Sequence, residues 1–378
     1  MRVLIGIILV CSVATSLPAK TWSVEKDGSS DFTVIQDALD AAAPGDSVLV
    51  GPGRFDDFRP GASTVDGFQF QMIAWITTSE LTLLGAGTDL TTIGPDSVVT
   101  EVVGRPAGGL YIDGGVTAHV EGFTIENEKG PVTIRNQSVL RGCVLRNPTG
   151  SISVGILEGF QARIENCQFF TEIGIVTASP AVRGLIIANC DFLGNPQSDF
   201  GVVIGNGSTD AVIRNCTFDN ISESIQFSLF GSGYVEDCKF TSPRIVAIHV
   251  SSGAGIVRRC RIEAGAPLAL KVNDGRLEVY DTVVGGGTVA TIFVLGDMVV
   301  RDSHILNGGA LSVDARGAAN RISDLAGNWW GTADLPTIRS WISTLNDNVI
   351  YEPILSEPVP VRPGSMGKLK GLFYSNDH

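Results

Sequence analysis

The sequence predicts an all-β fold: a single-stranded parallel β-helix, a solenoid of about 22-residue coils with a short capping helix at each end. Three observations predict it. The first is a phrase that recurs along the chain: IENCQFF from Ile164, IANCDFLGN from Ile187, IRNCTFDN from Ile213, VEDCKFTS from Val235 and VRRCRIEAG from Val257. Its marker column reads Phe123, Cys143, Cys167, Cys190, Cys216, Cys238, Cys260, Thr282, Ser303 and then Leu325, with gaps of 20 to 26 residues. The second is composition. Each repeat carries β-branched and aromatic residues with Gly, Asn and Asp punctuation and no ten-residue helical pattern, which excludes helical and leucine-rich solenoids. The third is side-chain direction. Alternation along a strand cannot bury Ile213, Cys216 and Phe218 together unless the backbone bends between them, and Asn tolerates the left-handed conformation of such a bend.

Taken in chain order, residues 1–19 read as a secretory signal peptide: Arg2, an apolar run from Val3 to Ala14 and a small-residue exit at Ala19. They place the protein outside the cytoplasm, as a secreted, periplasmic or cell-surface species. Residues 20–355 are the β-helix with its caps. Thr33 and Gln36 have capping-box spacing, so an N-terminal cap helix is expected over 33–43, closed by Pro44-Gly45.

The coils follow. Their corner column is Asn166, Asn189, Asn215, Asp237, Arg259, Asp281, Asp302 and Asp324. Stacking at about 4.8 Å turns inward positions into ladders. One runs Val120, Leu140, Ile164, Ile187, Ile213, Val235, Val257; another runs Phe169, Phe192, Phe218, Phe240 and continues as Ile262, Val284, Ile305. Six of the seven cysteines lie in the marker column, and Cys11 lies in the leader. In-register cysteines point the same way at a spacing wider than a relaxed disulfide prefers, so they are read as reduced, small, buried residues.

A C-terminal cap helix is expected over 335–346, started by Asp334 or Thr337, with Ile338, Trp341, Ile342 and Leu345 on one face. Trp329 and Trp330 plug the last coil. Residues 356–378 form a Pro/Gly-rich tail.

On these residues the chain resembles a known group. KDGSSDFTVIQDALDAAAPGDSVLVGPGRFDD is similar to the N-terminal cap and first coil of pectin methylesterases and the wider pectate-lyase-like superfamily, and GNWWGT with YEPIL resembles the close of exported bacterial β-helix proteins. The resemblance implies a right-handed solenoid from about residue 22 to 356. It does not extend to catalytic phrases: Asp199-Phe200-Gly201, Gly104-Arg105-Pro106 and Arg261-Ile262-Glu263 lack the neighbours that pectin esterases and polygalacturonases carry.

Function is therefore sought on the surface. A net charge of −13 and the absence of basic runs exclude nucleic acid and anionic lipid as partners. Nothing after the leader is long enough to span a membrane. The strand upstream of each corner has inward residues Val132, Val154, Ile175, Val202, Ile225, Ile248, Leu270 and Ile292. Their outward neighbours are Thr133, Gly155, Val176, Val203, Gln226, His249, Lys271 and Phe293. Gln226, Ser228, His249, Ser251, Lys271 and Asn273 then form one polar patch, the expected ligand-binding residues for a polysaccharide or cell-envelope glycan lying along the axis. Lys271 has the charge to pair with a uronate. If the protein is a lyase, esterase or hydrolase of acidic glycans, His249 and Lys271 are the catalytic candidates, a base and a cation. A structural or adhesive surface module is the third class. No cofactor or metal is predicted. Asp56 and Asp57 form a carboxylate pair of a kind that binds calcium or acts as acid and base; as loop carboxylates in an acidic protein, without a calcium motif around them, they are read as solvated. A monomer is expected.

Overall fold

The structure, a computed structural model, describes residues 18–62, 67, 69–97, 99, 101–102, 105–126, 132–263, 265–318, 321–344 and 347–358. Most of the expected leader and most of the expected tail lie outside the described residues.

One coil shows how the sequence winds. Ala211–Arg214 forms a strand, Asn215 turns the corner, Thr217–Asp219 forms a second strand, Glu223–Phe227 a third, and Ser232–Glu236 starts the next coil on top of Ala211–Arg214. Repetition of this path builds one 14-stranded sheet, with one strand from each coil, and a second, larger sheet that takes two. The chain therefore winds through more coils than the ten members of its marker column. The extra ones are Thr21–Val24, Ser47–Val50 and Leu81–Gly85 at the N-terminal end and Val349–Ile350 at the C-terminal end, which carry no marker residue.

The corner is built as the side chains require. Asn166, Asn189, Asn215, Asp237, Arg259, Asp281 and Asp302 all have φ between 49° and 56°, and Gly122 and Gly142 take the same place in earlier coils. A left-handed residue here aims the marker side chain inward, out of step with the preceding strand. The last corner departs from expectation. It is Gly327, at φ 71°, and not Asp324, so Asn328 and not Leu325 takes the marker position. Asn328 Oδ1 accepts from the Ser303 backbone N–H at 3.0 Å. The three-residue delay arises because Ser323–Asp324 still pairs with Met298 and Val299 before the chain turns.

The marker side chains share a task that their apolar reading misses. The Sγ of Cys167, Cys190, Cys216, Cys238 and Cys260 lies 3.2–3.4 Å from the carbonyl two residues back and 3.6–3.8 Å from a carbonyl of the coil below. Thr282 and Ser303 Oγ donate to the carbonyl two residues back at 2.8 Å. A small residue with one donor is what the corner needs, so Cys, Thr and Ser interchange there. The described cysteines are free and buried. Burial pushes the Cys167 and Cys238 thiols well above the usual range.

Both inward ladders are in register, and their members are at most 1% exposed. Phe169, Phe192, Phe218 and Phe240 stack with centroids 4.6, 4.6 and 5.1 Å apart and planes within 8°. The stack has room because the facing column is small. A Cβ on Gly174 would come within 3.0 Å of the Phe192 ring, and one on Gly201 within 2.9 Å of the Phe218 ring.

The caps are shorter than expected. The N-terminal helix spans Ile35–Ala41 with Val34 at its N-cap and no side-chain cap, so the capping box does not form. Gln36 is instead buried and joins the helix to strand Gln69–Ile76, accepting from Trp75 N at 2.7 Å and donating to Trp75 O at 3.1 Å. The C-terminal helix spans Leu335–Ser340, and the Asp334 side chain accepts from Thr337 N at 3.0 Å. It stops at Trp341 because Ile342–Thr344 becomes a strand that pairs with Val313–Ala315. Ile338 and Trp330 are fully buried over the final coil, as a cap requires. Leu345 lies outside the described residues.

Asp46 fastens the N-terminal strand. It accepts from Lys20 N at 2.7 Å, Ala43 N at 2.9 Å and Trp22 Nε1 at 3.1 Å. The backbone donors of Ala43 and Lys20 hold its carboxyl below the ordinary aspartate range. Such a depressed carboxyl stabilises the fold above its unfolded value, and that contribution fades as pH falls through its folded value. Acid should thus free Thr21–Val24 through this residue. Tryptophan emission is expected to differ between the parent and Asp46→Asn at neutral pH and to converge in acid; an equal offset at both would overturn the assignment.

Candidate functional site

The column outside the inward row of the second sheet runs from one end of the molecule to the other. Paired one per coil, it reads Trp75, Tyr111, Thr133, Gly155, Val176, Val203, Gln226, His249, Lys271, Phe293, Asp314, Ser343. Eleven steps of about 4.8 Å make a row about 53 Å long.

Its N-terminal end is walled. Strand Arg59–Ala62 folds back antiparallel on Gln69–Ile76, and Phe70, Met72, Tyr111 and Trp75 form a second apolar cluster outside the main core. Phe70 meets Tyr111 at 4.7 Å and Trp75 edge-on at 5.5 Å. Val176 and Val203 are half-buried, and the polar patch begins beyond them.

The structure brings three of the six expected ligand-binding residues into one network. The His249 Nδ1 lies 2.8 Å from Glu223 Oε2 and its Nε2 lies 3.1 Å from Asn273 Nδ2. Gln226 Nε2 donates to Glu223 Oε2 at 3.2 Å. A carboxylate only accepts, so the ring hydrogen sits on Nδ1, and the Nε2 lone pair faces the Asn273 amide. His249 is not the open surface residue its place in the column suggests. It is 5% exposed, because Gln226 and Lys271 flank it along the column while Glu223 and Asn273 close over both ring nitrogens.

Lys271 stands next to His249 in register and is half-buried, and among the described residues it has no ion-pair or hydrogen-bond partner. Ser228 and Ser251 stay outside the network. Ser251 Oγ donates to the Phe227 carbonyl at 3.4 Å, and Ser228 opens the turn after its strand. Asp314, further along, is held low by the Arg316 guanidinium, which it meets at 2.7 Å.

Glu223 is the member that the sequence reading missed. Strict alternation gives it the inward phase of Ile225 and Phe227. Ser224 and Ile225, however, are 1% and 0% exposed although consecutive, so the strand kinks there and Glu223 is turned to the outer side. Its pairing partners are Phe200 and Val246. An acid in an otherwise apolar column, one coil from a histidine, was the available signal.

Other candidates fall elsewhere. Asp56 and Asp57 flank Lys26 at 3.3 and 2.6 Å. His119 meets Glu121 at 2.9 Å on the other sheet. Among the described residues no three His, Cys, Asp or Glu gather in a metal-holding group, and no helix is long and apolar enough to cross a membrane. A shallow cavity of about 250 Å³ lies between the cap helix and the hairpin, lined by Gln36, Asp37, Asp40, Arg59, Pro60 and Trp75.

Comparison with known proteins fixes the hand of the winding. Residues 108–262 match the family model described as the right handed beta helix region. The chain is a right-handed parallel β-helix. Solved structures similar to this β-helix include a lacto-N-biosidase from Eubacterium ramulus (9% identity, covering 90% of this chain and 68% of that one, TM-score 0.49). They also include an alginate lyase from Paenibacillus sp. strain FPU-7 (13%, 88% and 99%, TM-score 0.49) and a pectate lyase (13%, 93% and 90%, TM-score 0.46). No curated protein sequence matches the β-helix.

Proposed function

We propose that this β-helix binds a polysaccharide laid along its axis on the outer column, outside the cytoplasm, with Gln226, Lys271 and Asn273 as the polar contacts. The observation that carries the reading is the register. One outward position per coil repeats without interruption, and Gln226, His249 and Lys271 fall together on adjacent coils. A linear polymer with recurrent hydroxyls matches such a row.

Holding, and not proton transfer, suits the central histidine. Both of its nitrogens are engaged within the protein, and its carboxylate neighbour is spent on it. A base acting on substrate has to reach the proton it removes. Lys271 gives the surface its one unpaired cation in the patch, so a uronic-acid polymer is the favoured class.

The test is affinity electrophoresis and calorimetry of the parent against uronic-acid and neutral polymers. Binding of the former is expected, and Lys271→Ala should weaken it about fivefold, the value of one partly exposed ion pair, with neutral polymers unaffected. Failure of the parent to bind any polymer sinks the proposal.

A further inference from the structure

The strand that carries Gln226 ends in a turn that no folding argument explains. Ser228-Leu229-Phe230-Gly231 closes with Gly231 N donating to Ser228 O at 2.8 Å. Its two central residues have φ of 46° and 65°. This is the pattern of a type I′ turn, which wants Asn or Gly at both centres. The coil below shows the ordinary solution. Its turn Gly205-Asn206-Gly207-Ser208 stacks directly beneath, with φ of 53° at Asn206 and 74° at Gly207 and Ser208 N donating to Gly205 O at 3.0 Å. Gly207 N also donates to Leu229 O at 2.7 Å, so the two turns share one backbone path. Leucine and phenylalanine therefore stand in strained left-handed positions where the preceding coil uses Asn and Gly.

Packing gives no compensation. Leu229 is 56% and Phe230 81% exposed, the latter the most exposed large apolar side chain described. Strain kept at an exposed aromatic residue points to a role outside folding. The surroundings narrow that role. The stacked turns on either side are Gly205-Asn206-Gly207-Ser208 and Ser251-Ser252-Gly253, small and polar, so the apolar area is confined to one coil. A protein interface needs several hundred Å² of contiguous contact on each side. A single ring among hydroxyls and amides suits a ligand that is apolar on one face and rich in hydroxyls around its edge. Leu229 N donates to Ser252 Oγ at 2.8 Å, which fixes the turn against the next coil. Phe230 follows Gln226 by four residues, so the two lie at most about 14 Å apart along the chain.

We propose that Phe230, presented by this turn, is a stacking platform for a sugar ring at the border of the polar patch, with Leu229 as its apolar flank. This rests on the reading of the column as a polysaccharide site. The platform would receive a ring that lies beyond the row, such as a branch or a chain bending off the axis, and would discriminate among polymers that the column alone accepts.

The experiment replaces the pair by what the coil below uses, Leu229→Asn with Phe230→Gly, beside the single Phe230→Ala. The double variant is expected to melt about 1–4 °C above the parent, because it relieves the strain, and to bind the parent's best polymer about tenfold more weakly. Phe230→Ala should lose the same affinity without the gain in melting temperature. If the parent binds and both variants bind equally well, the platform is wrong while the column reading stands. If the parent binds no polymer, both fall. If the variants differ from the parent only in self-association by sedimentation, the turn joins copies of the chain and the proposal is overturned.

Discussion

Phe218→Ala is expected to destabilise the β-helix by about 3–5 kcal/mol, the range for removing a large buried aromatic side chain. The ring lies between Phe192 and Phe240, with centroids 4.6 and 5.1 Å away, and is 0% exposed. The cavity it leaves cannot collapse easily. Rings above and below are fixed by strands hydrogen-bonded at the coil spacing, and the wall opposite is the backbone at Gly201, where a Cβ would already lie 2.5 Å from the Ser224 carbonyl. Phe169→Ala removes a ring stacked on one neighbour and not two. It should cost less by the value of one aromatic pair, about 0.5–1.5 kcal/mol. Urea unfolding followed by circular dichroism measures both. A loss below about 1 kcal/mol for Phe218→Ala, or a larger loss for Phe169→Ala, would show that the stack is not a principal support.

That ladder is also the part of the molecule most legible in the sequence, for a physical reason. A solenoid repeats its constraints, so a residue type needed at one corner is needed at every corner. The Asn and Asp column and the phenylalanines therefore print the left-handed bend and the stack directly into the repeat. Legibility fails where repetition stops. The last corner moves to Gly327, three residues past Asp324, because Ser323–Asp324 pairs with Met298 and Val299 and so leaves Gly327 level with the Asp302 corner. The cap helices are shorter because their ends are decided by tertiary partners, Trp75 for Gln36 and Val313–Ala315 for Ile342–Thr344. The first coils lack the marker because Val24, Val48 and Val50 fill the same interior without a cysteine corner.

The candidate site was legible to the same extent. Gln226, His249 and Lys271 follow from period-two alternation once the coils are aligned, and the pairing places them side by side. Glu223 breaks that alternation, and the strained turn at Leu229 and Phe230 lies between two strands, where alternation says nothing.

Glu223→Ala is the substitution with the largest expected effect on the site. It removes the acceptor of the His249 Nδ1 hydrogen, in a ring 5% exposed, and leaves a buried donor unsatisfied. The expected cost is about 1–3 kcal/mol. The ring is then free to rotate, and rotation takes Asn273 and Gln226 with it, because each is hydrogen-bonded to the histidine or to the lost carboxylate. Polymer affinity should fall about tenfold or more although Glu223 itself is not offered as a ligand contact. Glu223→Gln keeps a carbonyl oxygen for Nδ1 and the same shape, so it should retain most of the stability and most of the affinity. The comparison separates positioning from charge. If Glu223→Gln is as damaging as Glu223→Ala, the negative charge matters and His249 acts as a cation. If neither variant differs from the parent in urea midpoint or affinity, the network does not organise the patch, and the polar column would have to bind through Lys271 and Phe293 alone.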